Sequence, residues 1–91
     1  MSKICGEIII PDALRDKLEQ EGILYKHISR VIENAEEHND RIFLPEKGSC
    51  ISHLQIGSVT FWVEYFKRDK NCTVQNAYCH RIQIEVFQEE I

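Results

Sequence analysis

The stretch Val59-Thr60-Phe61-Trp62-Val63-Glu64-Tyr65-Phe66, followed after a polar break by residues 74–86, decides how this chain folds. Both pieces are rich in β-branched and aromatic residues and alternate in polarity, the signature of strands. Successive side chains of a strand point to opposite faces. In the second piece Val74, Asn76, Tyr78, His80, Ile82, Ile84 and Val86 therefore share one side, and Gln75, Ala77, Cys79, Arg81, Gln83 and Glu85 share the other. The aliphatic residues make the first side the buried one. That places Asn76, Tyr78 and His80 against the core, where an Asn or His without a partner costs about 1–3 kcal/mol. Two arrangements satisfy them. One is an internal hydrogen-bond network. The other is a pocket between helices and sheet, with His80 as its acid–base group and Tyr78 and Asn76 positioning a small ligand. A chain this small has little core to spare for a cavity, so the network is the expected form.

Between the two pieces, Lys67-Arg68-Asp69-Lys70-Asn71 reads as the polar loop of an antiparallel hairpin. If it pairs Phe66 with Thr73, Trp62 lies opposite Ala77 and Phe61 opposite Tyr78. Parity then gathers Thr60, Trp62, Glu64, Ala77, Cys79 and Arg81 on the outer face. Trp62 is the only tryptophan of the chain. Trp and Arg are favoured anchors at contact centres, so Trp62 and Arg81 form a candidate interface. The competing reading folds Phe43-Leu44 or Phe87 over the indole.

Upstream, residues 3–10 read as a strand with Ile4, Ile8 and Ile10 on one side. Pro11 and Asp12 suit the start of a helix, Leu14 and Leu18 repeat along it, and Gly22 stops it. A second helix runs from about residue 25 to 38. Ile28, Val31, Ile32 and Ala35 form its apolar stripe, with Arg30, Glu33, Asn34, Glu36 and Glu37 facing water. The short link predicts a helical hairpin. Residues 41–44 are a brief apolar piece cut by Pro45, and residues 46–49 form a turn. Residues 50–56 read as a strand, and Gly57-Ser58 connects it to the strong strand at Val59. The predicted class is α+β: an N-terminal strand, a helical hairpin, then an antiparallel meander, with both helices packed on one face of a three- to five-stranded sheet.

Ninety-one residues make one domain, 1–91, and 43% hydrophobic with 29% charged residues is ordinary for a folded chain. A net charge of −4 argues against a nucleic-acid binder. No apolar run approaches the roughly 18 residues that span a bilayer, and Glu7 interrupts the only apolar start, so no signal peptide is read. A cytoplasmic protein is expected, with Cys5, Cys50, Cys72 and Cys79 as thiols. Cys50 with His53 and Cys79 with His80 suggest a metal site, but strand parity points each pair in opposite directions, and no metal or cofactor is assigned. Lys67, Arg68 and Lys70 are interrupted by Asp69 and read as a solvated tip. The acidic run Glu33, Glu36, Glu37 and Asp40 reads as the wet face of the second helix. A phosphate loop, a nucleophile elbow and paired carboxylates are all missing, so an enzyme is not expected.

Three motifs carry a resemblance: Val59-Thr60-Phe61-Trp62-Val63-Glu64-Tyr65, Asn76-Ala77-Tyr78-Cys79-His80-Arg81-Ile82, and Val31-Ile32-Glu33-Asn34-Ala35-Glu36. They resemble the pattern V-T-x-W-V-E-Y, N-A-Y-x-H-R-[MI] and V-I-x-x-A-E of a small family of prokaryotic proteins, mostly from anaerobes. The likeness covers most of the chain. It implies an accessory protein near flavin and iron–sulfur redox enzymes, acting through a protein partner or self-association. That family often has Ser before His-Arg where this chain has Cys79. In topology the layout is also similar to mRNA-cutting toxins of toxin–antitoxin pairs, which cleave with His, Arg, Lys or Tyr on the sheet. Here the expected open face offers Arg81 against Glu64 and Glu85, with His80 pointing away, so the RNase reading ranks second. A domain that binds a small ligand or a metal ranks behind both.

Overall fold

The computed structural model describes residues 6–81. Its elements run β1 (Glu7–Ile9), α1 (Asp12–Gln20), α2 (Tyr25–His38), β2 (Ile42–Leu44), β3 (Ser49–Ile56), β4 (Val59–Arg68) and β5 (Asn71–Arg81). Pro11 sets the extended entry to α1, and the missing N–H of proline is harmless there. The helix ends in a left-handed turn at Gly22, φ +82°. The Gly22 N–H bonds the Glu19 carbonyl and the Ile23 N–H bonds the Leu18 carbonyl, the paired bonds of a Schellman stop. Leu18 and Ile23 are both buried beside that stop, which ties the end of α1 to the core. Asn39 in the left-handed region closes α2 in the same manner.

The strands form one sheet in the order β1-β5-β4-β3-β2. From β2 to β5 it is an antiparallel meander, and β1 adds in parallel beside Asn71–Thr73. The α+β class therefore stands as predicted. Helix α2 packs on β3 and β4, and α1 lies against β5, all on one face. Ile28, Val31, Ile32 and Ala35 meet Phe61, Val63, Tyr65, Val74 and Ala77 there, each buried. Burying each large aliphatic side chain contributes roughly 1.5–3 kcal/mol. The opposite face of the sheet has no helix over it among the described residues.

The hairpin pairs Phe66 with Thr73 as the loop chemistry predicts, and its turn is tighter than expected, with Asp69 at φ 56°. Two residues later the register slips. Tyr65 lies opposite Val74 and Glu64 opposite Asn76, so Gln75 is an extra residue on β5. This β-bulge reverses the parity of everything after it. Val74 and Ala77, three positions apart, are both buried, whereas Gln75, Asn76, Tyr78, Cys79 and His80 are exposed. Trp62 accordingly faces Tyr78, and Phe61 faces Cys79, one residue away from the expected pairing. Asn76, Tyr78 and His80 are thus not a core network and do not line a pocket under the helices. They stand on the open face. Arg81 ends β5 opposite Val59. Its side chain, and with it the expected contact role, falls outside the described part of the structure, as do Phe87 and residues 82–86 of the second motif strand.

Candidate functional site

Alternation along β4 sends Phe61, Val63 and Tyr65 into the core and Thr60, Trp62, Glu64 and Phe66 to the open face. Trp62 sits in the middle strand, directly opposite His53 of β3 and Tyr78 of β5. The His53 and Trp62 rings stack with centroids 4.4 Å apart at 24°. The Trp62 and Tyr78 rings lie 6.0 Å apart at 10°. Three strands thus present one row of near-parallel rings. Tyr78, at its outer end, is 46% exposed. Such offset pairs each contribute about 0.5–1.5 kcal/mol beyond their buried area. Of the expected covers, Phe43 pairs with Cys50, which lies opposite Tyr65 on the helix side, and is itself exposed, while Phe87 lies outside the described residues.

Beside the rings the face changes character. A shallow depression of about 420 Å³ is lined by Lys47, Glu64, Phe66, Gln75 and Asn76. Glu64 accepts a 2.8 Å hydrogen bond from the Ser49 hydroxyl and has the Lys47 ammonium at 3.8 Å, so its charge is compensated. The Asn76 side chain accepts from the backbone N–H of Ala77, which fixes the amide at the bulge. A smaller hollow of about 250 Å³ continues past Phe66 to Arg68 and Thr73.

No family model, curated protein or solved structure matches this chain.

The helix side holds the polar cluster that sequence reasoning missed. Glu36, assigned to the wet face of α2, is buried with a side chain only 2% exposed. The Tyr65 hydroxyl donates to it at 2.7 Å, and Lys67 Nζ sits 2.5 Å from its other oxygen. Arg41 Nε approaches at 3.6 Å. Burial alone raises the Glu36 pKa. The hydrogen bonds from Lys67 and Tyr65 and the charges of Arg41 and Lys67 outweigh that and hold it below the usual carboxylate range. Burial, then the Glu36 carboxylate, push the Tyr65 phenol up, while the hydrogen bond to Glu36 raises Lys67. A signal was present in the sequence: Ile28, Ile32 and Glu36 are spaced i, i+4, i+8 on one helical stripe. Glu36 is thus held by Tyr65, Lys67 and Arg41, and Arg41 also donates to the Ala35 carbonyl and to Asn39 Oδ1, so the cluster braces α2 against β4.

At the N-terminus of α2 the Leu24 N–H donates to Nδ1 of His27 at 3.0 Å. The imidazole stacks on Phe61 at 4.3 Å. Burial first, then Lys26 and Arg30, lower its pKa, so the ring is held neutral. With Nδ1 accepting, the neutral ring carries its proton on Nε2, which makes His27 a helix cap and a donor. For metals, Cys50 is buried behind the sheet while His53 stacks on Trp62 in front of it. Among the described residues no three His, Cys, Asp or Glu side chains converge as metal ligands do. No helix among these residues is long and apolar enough to cross a membrane.

Proposed function

We propose that the protein is a non-catalytic accessory module that docks a protein partner through the open face of its sheet, with Trp62 at the contact centre. One observation carries this: the row His53–Trp62–Tyr78, aligned across three strands on a face that no helix covers among the described residues. Trp and Tyr dominate the energetics of contact centres, and rings already stacked lose little freedom on docking. The compensated Glu64 leaves no lone charge to desolvate beside the row. A cytoplasmic setting and a redox-enzyme partner belong to this reading, the partner resting on the family resemblance of the strand motifs. The test is a pull-down from native extract with the wild-type chain and with Trp62→Ala, both checked for intact fold by circular dichroism. The expected result is a partner, or a self-association, lost or weakened in the variant. Unchanged capture and unchanged size-exclusion behaviour would sink the reading.

A second reading gains from the bulge. With His80 and Tyr78 on the same open face as His53, an objection to an RNase-like toxin disappears. The shortage of cations there, against a net charge of −4, still opposes it. Strong expression of the chain alone decides: growth arrest relieved by His80→Ala supports the toxin, and normal growth removes it.

A further inference from the structure

Among the described residues the ring row stops at Tyr78 because no strand pairs with β5 beyond it. Strand β1 covers only Asn71–Thr73 of β5, so from Val74 to Arg81 the far edge of β5 carries no paired strand among the described residues. Sheet edges usually carry lysines, prolines or inward charges that block pairing with another chain. Gln75, Asn76, Ala77, Tyr78, Cys79 and His80 include no Lys, Arg, Asp, Glu or Pro. Among the described residues an obstruction lies at the bulge, where the Asn76 side chain occupies the Ala77 N–H. That bond also identifies which backbone groups are free for pairing. An N–H bonded within its own strand is outside the β4 ladder, and alternation turns the N–H and C=O of Cys79 to the same outer edge.

We propose that β5 pairs antiparallel with β5 of a second copy of this chain, about a two-fold axis at Cys79, giving one continuous sheet across the dimer. Two features favour a second copy over an unrelated peptide. A strand pairing with itself must be self-complementary about one residue, since two-fold contacts are isologous. Tyr78 and His80 flank Cys79 symmetrically on the open face, so the axis brings Tyr78 of each copy beside His80 of the other. Each ring row, His53–Trp62–Tyr78, then gains a fourth ring across the boundary. Lastly, the pairing segment opposes no like charges, although each copy carries a net −4. Glu33 and Glu37 belong to α2, which packs over β3 and β4 away from this edge, whereas Glu21, just past α1, lines the same helix-side hollow as Cys79. The pairing uses the edge of the sheet and does not rest on the face being a docking surface.

Cys79 is the readout. It is exposed, whereas Cys50 and Cys72 are buried. On the axis the two Cys79 side chains stand about 5 Å apart at their Cβ atoms. In a chain carrying Cys5→Ser, a thiol cross-linker of that reach is expected to give a covalent dimer joined Cys79 to Cys79, identified by peptide mapping. Light scattering of the untreated chain is expected to give twice the chain mass. Cys79→Ser keeps the dimer, and Cys79→Lys raises its dissociation constant about tenfold or more by opposing two charges on the axis. A chain that stays monomeric at the highest attainable concentration overturns the proposal. So does a dimer that survives Cys79→Lys and resists cross-linking. Loss of that residual dimer in Trp62→Ala would move self-association to the open face, which leaves the docking proposal standing while this one fails.

Discussion

The hydroxyl of Tyr65 donates a 2.7 Å hydrogen bond to the buried carboxylate of Glu36, joining the middle strand of the sheet to the last turns of α2. Tyr65 itself has no exposed surface, so the bond is made in a water-poor setting where its loss leaves a charge under-solvated. Tyr65→Phe keeps the ring packing and removes only the donor. The expected cost is about 2 kcal/mol, the range for a hydrogen bond to a charged group. Chemical denaturation with an unchanged m-value measures it. A loss within error of zero would mean that Lys67 and Arg41 hold Glu36 without help from the phenol.

Glu36 also makes stability depend on pH in a stated direction. Its carboxyl is lowered in the fold relative to the ordinary 4.5, so folding favours the ionised form. The contribution is fully present above that unfolded value and is lost as pH falls through the lower folded one. Melting temperature should therefore drop below about pH 4.5 more steeply in the wild type than in Glu36→Gln, which starts less stable and has nothing there to lose. Parallel acid profiles for the two chains would contradict the assignment.

His27 titrates in a higher window. Its imidazole is lowered from 6.5, so the fold favours the neutral ring, and stability from this group is lost as pH falls below about 6.5. Replacing the ring with Gln keeps a polar side chain at the third helical position without a titrating group. The mild decline in melting temperature between pH 7 and 5 is expected to flatten in His27→Gln.

The bulge makes predictions for two neighbouring changes. His80 is exposed on the open face, so His80→Ala is expected to shift stability by no more than about 0.5 kcal/mol. Deleting Gln75 removes the extra residue and leaves Val74 and Ala77 two apart, so simple alternation keeps both inward and the pairings of Asn76 with Glu64 and Tyr78 with Trp62 are preserved. The deletion chain is therefore expected to keep a cooperative melt. Loss of that melt would show that the bulge itself, and not only the inward placement of Val74 and Ala77, is needed for the fold.

Replacing Trp62 tests the face without testing the core. The indole is half-buried and gains its contacts from His53 and Tyr78, so Trp62→Ala is expected to cost about 1 kcal/mol. Tryptophan fluorescence of the wild type should shift when a partner binds, since Trp62 is the sole indole.

Local chemistry alone determined the element order. Pro11, Gly22, the α2 stripe and the β-branched runs of β3 to β5 each specify a backbone state within a few residues, and the helix-facing side of β4 follows from simple alternation. Even the pairing of Phe66 with Thr73 was legible from the loop between them. What the sequence could not carry was the bulge at Gln75. A period-two pattern describes a strand without insertions, and whether one extra residue is accommodated depends on which face of β5 best fills the space under the helices. Choosing Val74 and Ala77 for the core moved Asn76, Tyr78 and His80 from the buried side to the open one. The same limit applies to Glu36, whose place on the apolar stripe is visible but whose partners Tyr65, Lys67 and Arg41 come from distant parts of the chain. Buried polar groups survive only where tertiary packing delivers their partners, and that is decided in three dimensions.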